Sequence, residues 1–206
     1  SASRTGRTGS AWNRSTTSGE TGLKYAGRMT LVTTQIDGPL ATISIDSPPL
    51  NLFEAQMIGE LSQAIEALHA DPPRALLIQA KGEVVSGGVN VEEFKGLNPS
   101  QGSALWSDLL GLIDRVESLP LPVVFRAHGL TLTAAFELSL ACDFIVASES
   151  AKFGLVEIVV GLTPSMGGTQ RLAERAGSGR ARQFVMTGGL YDAATMESWN
   201  VVNYVW

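Results

Sequence analysis

The sequence predicts an α/β domain built on parallel strands. Two observations carry this: short apolar strands alternate with amphipathic helices, and prolines end the helices while glycine-rich turns follow the strands. With 206 residues, 44% of them apolar and 17% charged, the chain is long enough for a substantial core. No repeat of 20 to 50 residues, the period range of solenoids and propellers, is evident.

Residues 1–28 precede the pattern. They are rich in Ser, Thr and Gly and carry Arg4, Arg7, Arg14, Lys24 and Arg28 against the single acid Glu20. They read as a flexible tail, fitting an organelle transit leader and vector-derived sequence equally, with Met29 a natural start. The domain is expected over 29–206. Leu31 to Ile36 and Leu40 to Ile45 alternate as strands around Asp37-Gly38, a hairpin signal. From Glu54 to Ala70, residues Met57, Ile58, Leu61, Ile65 and Leu68 share one helical face, and Pro72-Pro73 ends that helix before the strand Ala75 to Ala80. Leu105, Leu109, Leu112, Ile113 and Val116 form a second helical stripe, stopped by Pro120 and Pro122 ahead of a buried strand Val123 to Ala127. A helix around Ala134 to Ala141, a strand Phe144 to Ala147 and an extended piece at Lys152-Phe153 follow. Helices are then expected at Gly168 to Ala176, Arg180 to Thr187 and Ala193 to Trp199, with a last strand over Val201 to Val205.

Charge and composition exclude several functions. A net charge of -5 without clustered Lys and Arg beyond Arg28 argues against nucleic acid. No apolar run reaches the ~20 residues that span a bilayer. No membrane partner is therefore expected, and the predicted location is cytoplasmic. The lone cysteine, Cys142, sits in an apolar run and reads as a buried thiol. His69 and His128 have no metal-ligand spacing with each other or with Cys142, so no metal is expected. Neither GxGxxG nor GxxxxGKS occurs, which removes the usual support for dinucleotide chemistry and nucleotide hydrolysis.

Two turns that follow predicted strands are candidates for presenting free N–H groups to a ligand oxygen. One is KGEVVSGGVN, Lys81 to Asn90, where Gly87 and Gly88 have access to backbone conformations closed to other residues. The other is HGLTLTAAFE, His128 to Glu137, which runs into a helix start that favours negative charge. Glu137 lies between Phe136 and Leu138, and Glu157 between Val156 and Ile158. Buried, such carboxylates cost several kcal/mol unless paired, which suits a general acid or base; periodicity equally allows a surface-facing position for each.

These segments, taken in order, resemble the crotonase superfamily, the enoyl-CoA hydratase and isomerase group, from Leu31 to Trp206. VVSGGVN at Val84 to Asn90 is similar to its first turn, FSAGAD, and GLTLTAAFELSLACD at Gly129 to Asp143 to its second, GxALGGGxELAxxCD. KFGLVEIVVGLTPSMGGTQRL, Lys152 to Leu172, is the closest match, and MTGGLYDAATMESWNVVNYV resembles the stretch after it.

The resemblance implies a crotonase-like spiral of repeated β-β-α units, with the family's C-terminal helical part missing after Trp206. It implies an acyl-CoA thioester as substrate, no cofactor beyond the coenzyme A of that substrate, and a homotrimer or dimer of trimers. By position, the amides of Gly87 and Ala134 become the oxyanion donors. Gly87, Gly88, Val89 and Asn90 line the thioester channel, and Glu137 and Glu157 become the catalytic pair that adds water across the 2,3 double bond. Other crotonase reactions (isomerisation, decarboxylation, C–C hydrolysis) and a non-catalytic acyl-CoA-binding subunit are the alternatives. Two departures stand out. Thr133-Ala134-Ala135 replaces GGG, bringing methyl groups to the pocket, and Asn90 replaces Asp.

Overall fold

The computed structural model describes residues 29–206; the proposed tail lies outside the described residues. Nine strands and six α-helices alternate through this stretch. β1 (Val32–Asp37) and β2 (Leu40–Ile45) form the expected hairpin, with Gly38 at φ +53 in the turn. α1 (Ala55–Ala70) leads to β3 (Ala75–Ala80), and α2 (Pro99–Glu117) leads to β4 (Val123–Ala127). β5 (Leu130–Leu132), α3 (Ala134–Leu140), β6 (Phe144–Ala147) and β7 (Lys152–Gly154) follow. α4 (Gly168–Ala176), α5 (Ser178–Thr187), β8 (Tyr191–Asp192), α6 (Ala193–Ser198) and β9 (Tyr204–Val205) complete the order.

The larger sheet runs β1-β2-β3-β4-β6-β9 and is parallel except for the first hairpin. The smaller runs β5-β7-β8. The chain visits both in turn: β4 passes to β5, and α3 returns it to β6, which passes to β7. Single bridges extend the second layer backwards, Ser86 to Thr131 and Phe53 to Val89. This is the expected β-β-α spiral, and it stacks the loops that leave the large sheet one above another.

Burial explains the register. Ile43 pairs with Ile78, Ile78 with Phe125 and Phe125 with Ile145, a row of four fully buried side chains crossing the sheet. Met57, Ile58, Leu61, Ile65 and Leu68 of α1, and Leu109, Leu112, Ile113 and Val116 of α2, are buried as their spacing requires. A capping box between Asn98 and Gln101 starts α2.

The structure departs from expectation in small ways. β5 forms inside the stretch read as a turn. Of the predicted last strand only Tyr204–Val205 pairs, Val201 and Val202 being buried just after α6. Two 3₁₀ turns, Val91–Phe94 and Glu157–Val160, have no periodic signal, because four residues are too few to show one.

Candidate active site

The first turn is fixed from beneath by Asn51, a buried residue at φ +47. Its Oδ1 accepts from Ser47 N at 2.6 Å, and its Nδ2 donates to Lys81 O at 2.9 Å and Val84 O at 3.0 Å. Ser86 Oγ donates to Asn51 O at 2.7 Å and accepts from Gly88 N at 3.0 Å. Gly87 N donates to Leu50 O at 2.8 Å, and Asn90 N to Phe53 O at 3.0 Å.

These bonds correct the sequence reading. The Gly87 amide is already engaged within the protein and is not available to a ligand oxygen. Val89 N–H donates in none of these bonds, and Val89 lines the adjacent cavity. Gly87 also lines the cavity, but only Gly88, at φ +111, needs the conformational freedom expected of both. Asn90 does not line the cavity; its Oδ1 accepts from Glu92 N and caps the 3₁₀ turn that follows. Gly88 is absent from the lining too. It makes room for Thr133, whose Oγ1 would collide with any side chain at position 88.

The second turn leaves β5 at Thr133 and enters α3. Thr133 N donates to Gly154 O and Thr133 O accepts from Glu137 N, each at 2.8 Å. As the first residue of α3, Ala134 has an N–H with no intrahelical acceptor. Every residue of α3 is buried, Glu137 included, at 2% exposure.

Glu137 is held by α4. Its Oε1 accepts from Met166 N at 2.9 Å and Gly168 N at 2.8 Å. Burial raises the pKa of this carboxyl, against the lowering pull of the Gly168, Met166 and Ser165 amides. Glu157 opens the 3₁₀ turn after β7 and is 8% exposed, with Oε2 buried and unpartnered. Burial is again the main cause of its shift, to about 7, and the negative charge of Glu137 adds to it. Both carboxylates are therefore buried, and among the described residues neither has a cationic partner in hydrogen-bonding range.

Glu137, Glu157, Val89 and Thr133 line one cavity of about 240 Å³. Much of the rest of its lining is apolar, with Trp106 stacked on Phe94 at 5.3 Å between ring centroids, and with Val159, Leu162 and Met166. Elsewhere, His69 and His128 bond to the carbonyls of Arg115 and Gly82, and Cys142 is the buried thiol expected, its pKa pushed far up by burial. Among the described residues no group of three or more His, Cys, Asp and Glu could hold a metal ion, and no helix is long and apolar enough to cross a membrane.

The enoyl-CoA hydratase/isomerase family profile matches residues 35–206. The chain belongs to that family. Among its relatives, the probable enoyl-CoA hydratase of Rhizobium meliloti is 36% identical over 177 residues, covering 85% of this chain and 67% of the relative. That of Bacillus subtilis is 32% identical over 162 residues, covering 78% and 63%. The chain thus spans about two thirds of the length of the curated relatives it matches. Its fold superposes on the enoyl-CoA hydratase of Bacillus anthracis with a TM-score of 0.80 at 29% identity, covering 85% of this chain and 70% of that one. It superposes on Pseudomonas aeruginosa DspI with a TM-score of 0.82 at 26% identity, covering 86% and 74%.

Sequence reasoning found both glutamates and both turns. It missed the amides of Met166 and Gly168 that hold Glu137, for which the Gly167-Gly168 pair was the available signal. It also missed the Phe94–Trp106 wall, because α2 is brought to the site only by the fold.

Proposed function

We propose that the domain over 29–206 hydrates the 2,3 double bond of an enoyl-CoA thioester, with Glu137 and Glu157 as catalytic residues. The observation that carries this is that two buried carboxylates with raised pKa values share one cavity with the Val89 and Ala134 turns. The thioester oxygen sits between the Val89 and Ala134 amides, with Gly87 and Val89 beside the thioester. The acyl chain lies toward Trp106 and Phe94.

Water held between the carboxyls attacks C3 and gives its proton to the free oxygen of Glu137, whose other oxygen is anchored by two amides. The π electrons move to the thioester oxygen, where the two amides stabilise the enolate; each such donor is typically worth about 10²–10³ in rate. The enolate then takes a proton at C2 from Glu157, which a pKa of about 7 keeps substantially protonated near neutrality. No cofactor is needed beyond the coenzyme A of the substrate. The exposed apolar side chains Ile158, Val159, Val160, Met186 and Leu190 support self-association, read as a homotrimer or dimer of trimers. The net charge of -5 suits a cytoplasmic location without nucleic-acid partners.

Crotonyl-CoA tests the reaction. The expected result is loss of enoyl absorbance with formation of 3-hydroxybutyryl-CoA, reduced by about 10²-fold or more in Glu157→Gln. Binding without turnover, or movement of the double bond in a 3-enoyl-CoA without addition of water, overturns it.

A further inference from the structure

Thr133 stands out in the described part of the chain for combining two unfavourable features. Its backbone is at φ +45, ψ -116, a region that suits glycine and is an outlier for a β-branched residue. Its hydroxyl is buried, in a residue only 8% exposed, and has no hydrogen-bond partner. The backbone is held there from both sides by the bonds of its N–H to Gly154 and of its carbonyl to Glu137. Among the described residues nothing uses the hydroxyl.

Its location is specific. Thr133 is bonded through its carbonyl carbon to Ala134 N, and its Oγ1 packs on Gly88, which is bonded in the same way to Val89 N. Thr133 thus adjoins both turns that carry the free amides, its hydroxyl buried against Gly88, and the residue lines the cavity together with Glu137 and Glu157. Gly88 at φ +111 is what opens the space for it.

We propose that the Thr133 hydroxyl is a third hydrogen-bond donor to the thioester oxygen, completing its own hydrogen bonding only when substrate is bound. This rests on the acyl-CoA reading above and deepens it. No bond is made or broken at Thr133; its proton stays on Oγ1 and its O–H dipole strengthens as charge gathers on the thioester oxygen. A buried hydroxyl that loses its partner when the ligand lacks an oxygen also makes the site selective for thioesters over carbonyl-free analogues.

The test compares wild type with Thr133→Val, Thr133→Ser and Thr133→Gly, using two unreactive ligands, butyryl-CoA and the thioether S-butyl-CoA, which lacks the carbonyl. Wild type binds butyryl-CoA the more tightly. Thr133→Val is expected to lose about 2- to 10-fold of its affinity for butyryl-CoA and none for S-butyl-CoA. Its kcat/KM on crotonyl-CoA should fall by about 10- to 10³-fold, more than ground-state binding falls, while Thr133→Ser retains most of it. Thr133→Gly relieves the backbone and should melt higher than wild type, yet lose kcat/KM as Thr133→Val does. If Thr133→Val folds poorly, the Ser and Gly variants carry the same comparison. Equal butyryl-CoA affinity and kcat/KM in wild type, Val and Gly variants overturns the hydroxyl contact alone. A wild type that binds butyryl-CoA no better than S-butyl-CoA overturns the thioester-oxygen site itself, and the contact with it.

Discussion

At the scale of single residues, the two glutamates differ in how they are held. Glu137 has one oxygen fastened by the Met166 and Gly168 amides, whereas Glu157 Oε2 is buried with no partner. Burial raises both carboxyls; the amides pull Glu137 back toward its charged form, whereas burial carries Glu157 to about 7. This has a consequence for stability. Glu157 moves from an ordinary 4.5 to about 7 on folding, so between these values the folded protein keeps a proton that the unfolded chain has released. The stabilisation from this proton is complete below pH 4.5 and lost as pH rises through 7, amounting to about 3 kcal/mol at most. Urea unfolding of wild type and Glu157→Gln across this range should show the variant gaining relative stability with rising pH. Parallel curves would refute the shift. If Glu157 acts as proposed, the kcat/KM of wild type should fall above pH 7 for the same reason, as the acid proposed to protonate C2 is lost.

At the scale of elements, the site depends on how closely α4 approaches α3. Gly168 opens α4 against Glu137, and a Cβ there would lie 2.7 Å from Glu137 Cγ and 2.9 Å from its Oε1. Gly168→Ala should therefore push the carboxylate off its two amides. Expected are a loss of kcat/KM of about 10- to 100-fold and a destabilisation of about 1–3 kcal/mol, measured by steady-state kinetics on crotonyl-CoA and by urea melts. Unchanged activity would mean that the anchoring of Glu137 is dispensable. The helix stripes and the Asp37-Gly38 hairpin were readable because each is a local period or a local turn requirement. The two 3₁₀ turns were not, being too short to show a period, and neither were β5 and the narrow bounds of β9, which pairing with β7 and β6 selects.

At the scale of the molecule, one row of buried side chains, Ile43, Ile78, Phe125 and Ile145, ties four strands together beneath the site. Phe125 is fully buried in the middle of it, so Phe125→Ala should cost about 3–5 kcal/mol. The drop should appear as a lower denaturation midpoint in a single cooperative transition; loss confined to one probe would mean that the sheet does not unfold as a unit. The amino-acid order alone was enough to place the strands, most helices, both turns and both acids, because apolar period, proline stops and lone carboxylates in apolar runs are local signals. It was not enough to say which amide at the first turn stays free, and it pointed to Gly87. That choice depends on Leu50 and Phe53, more than thirty positions upstream, whose carbonyls take up the N–H of Gly87 and Asn90 and leave Val89 open, while Asn51 O holds the Ser86 hydroxyl. Hydrogen-bond satisfaction within a folded loop is settled by what packs against it, so only the assembled fold distinguishes a donor already engaged from one left for a ligand.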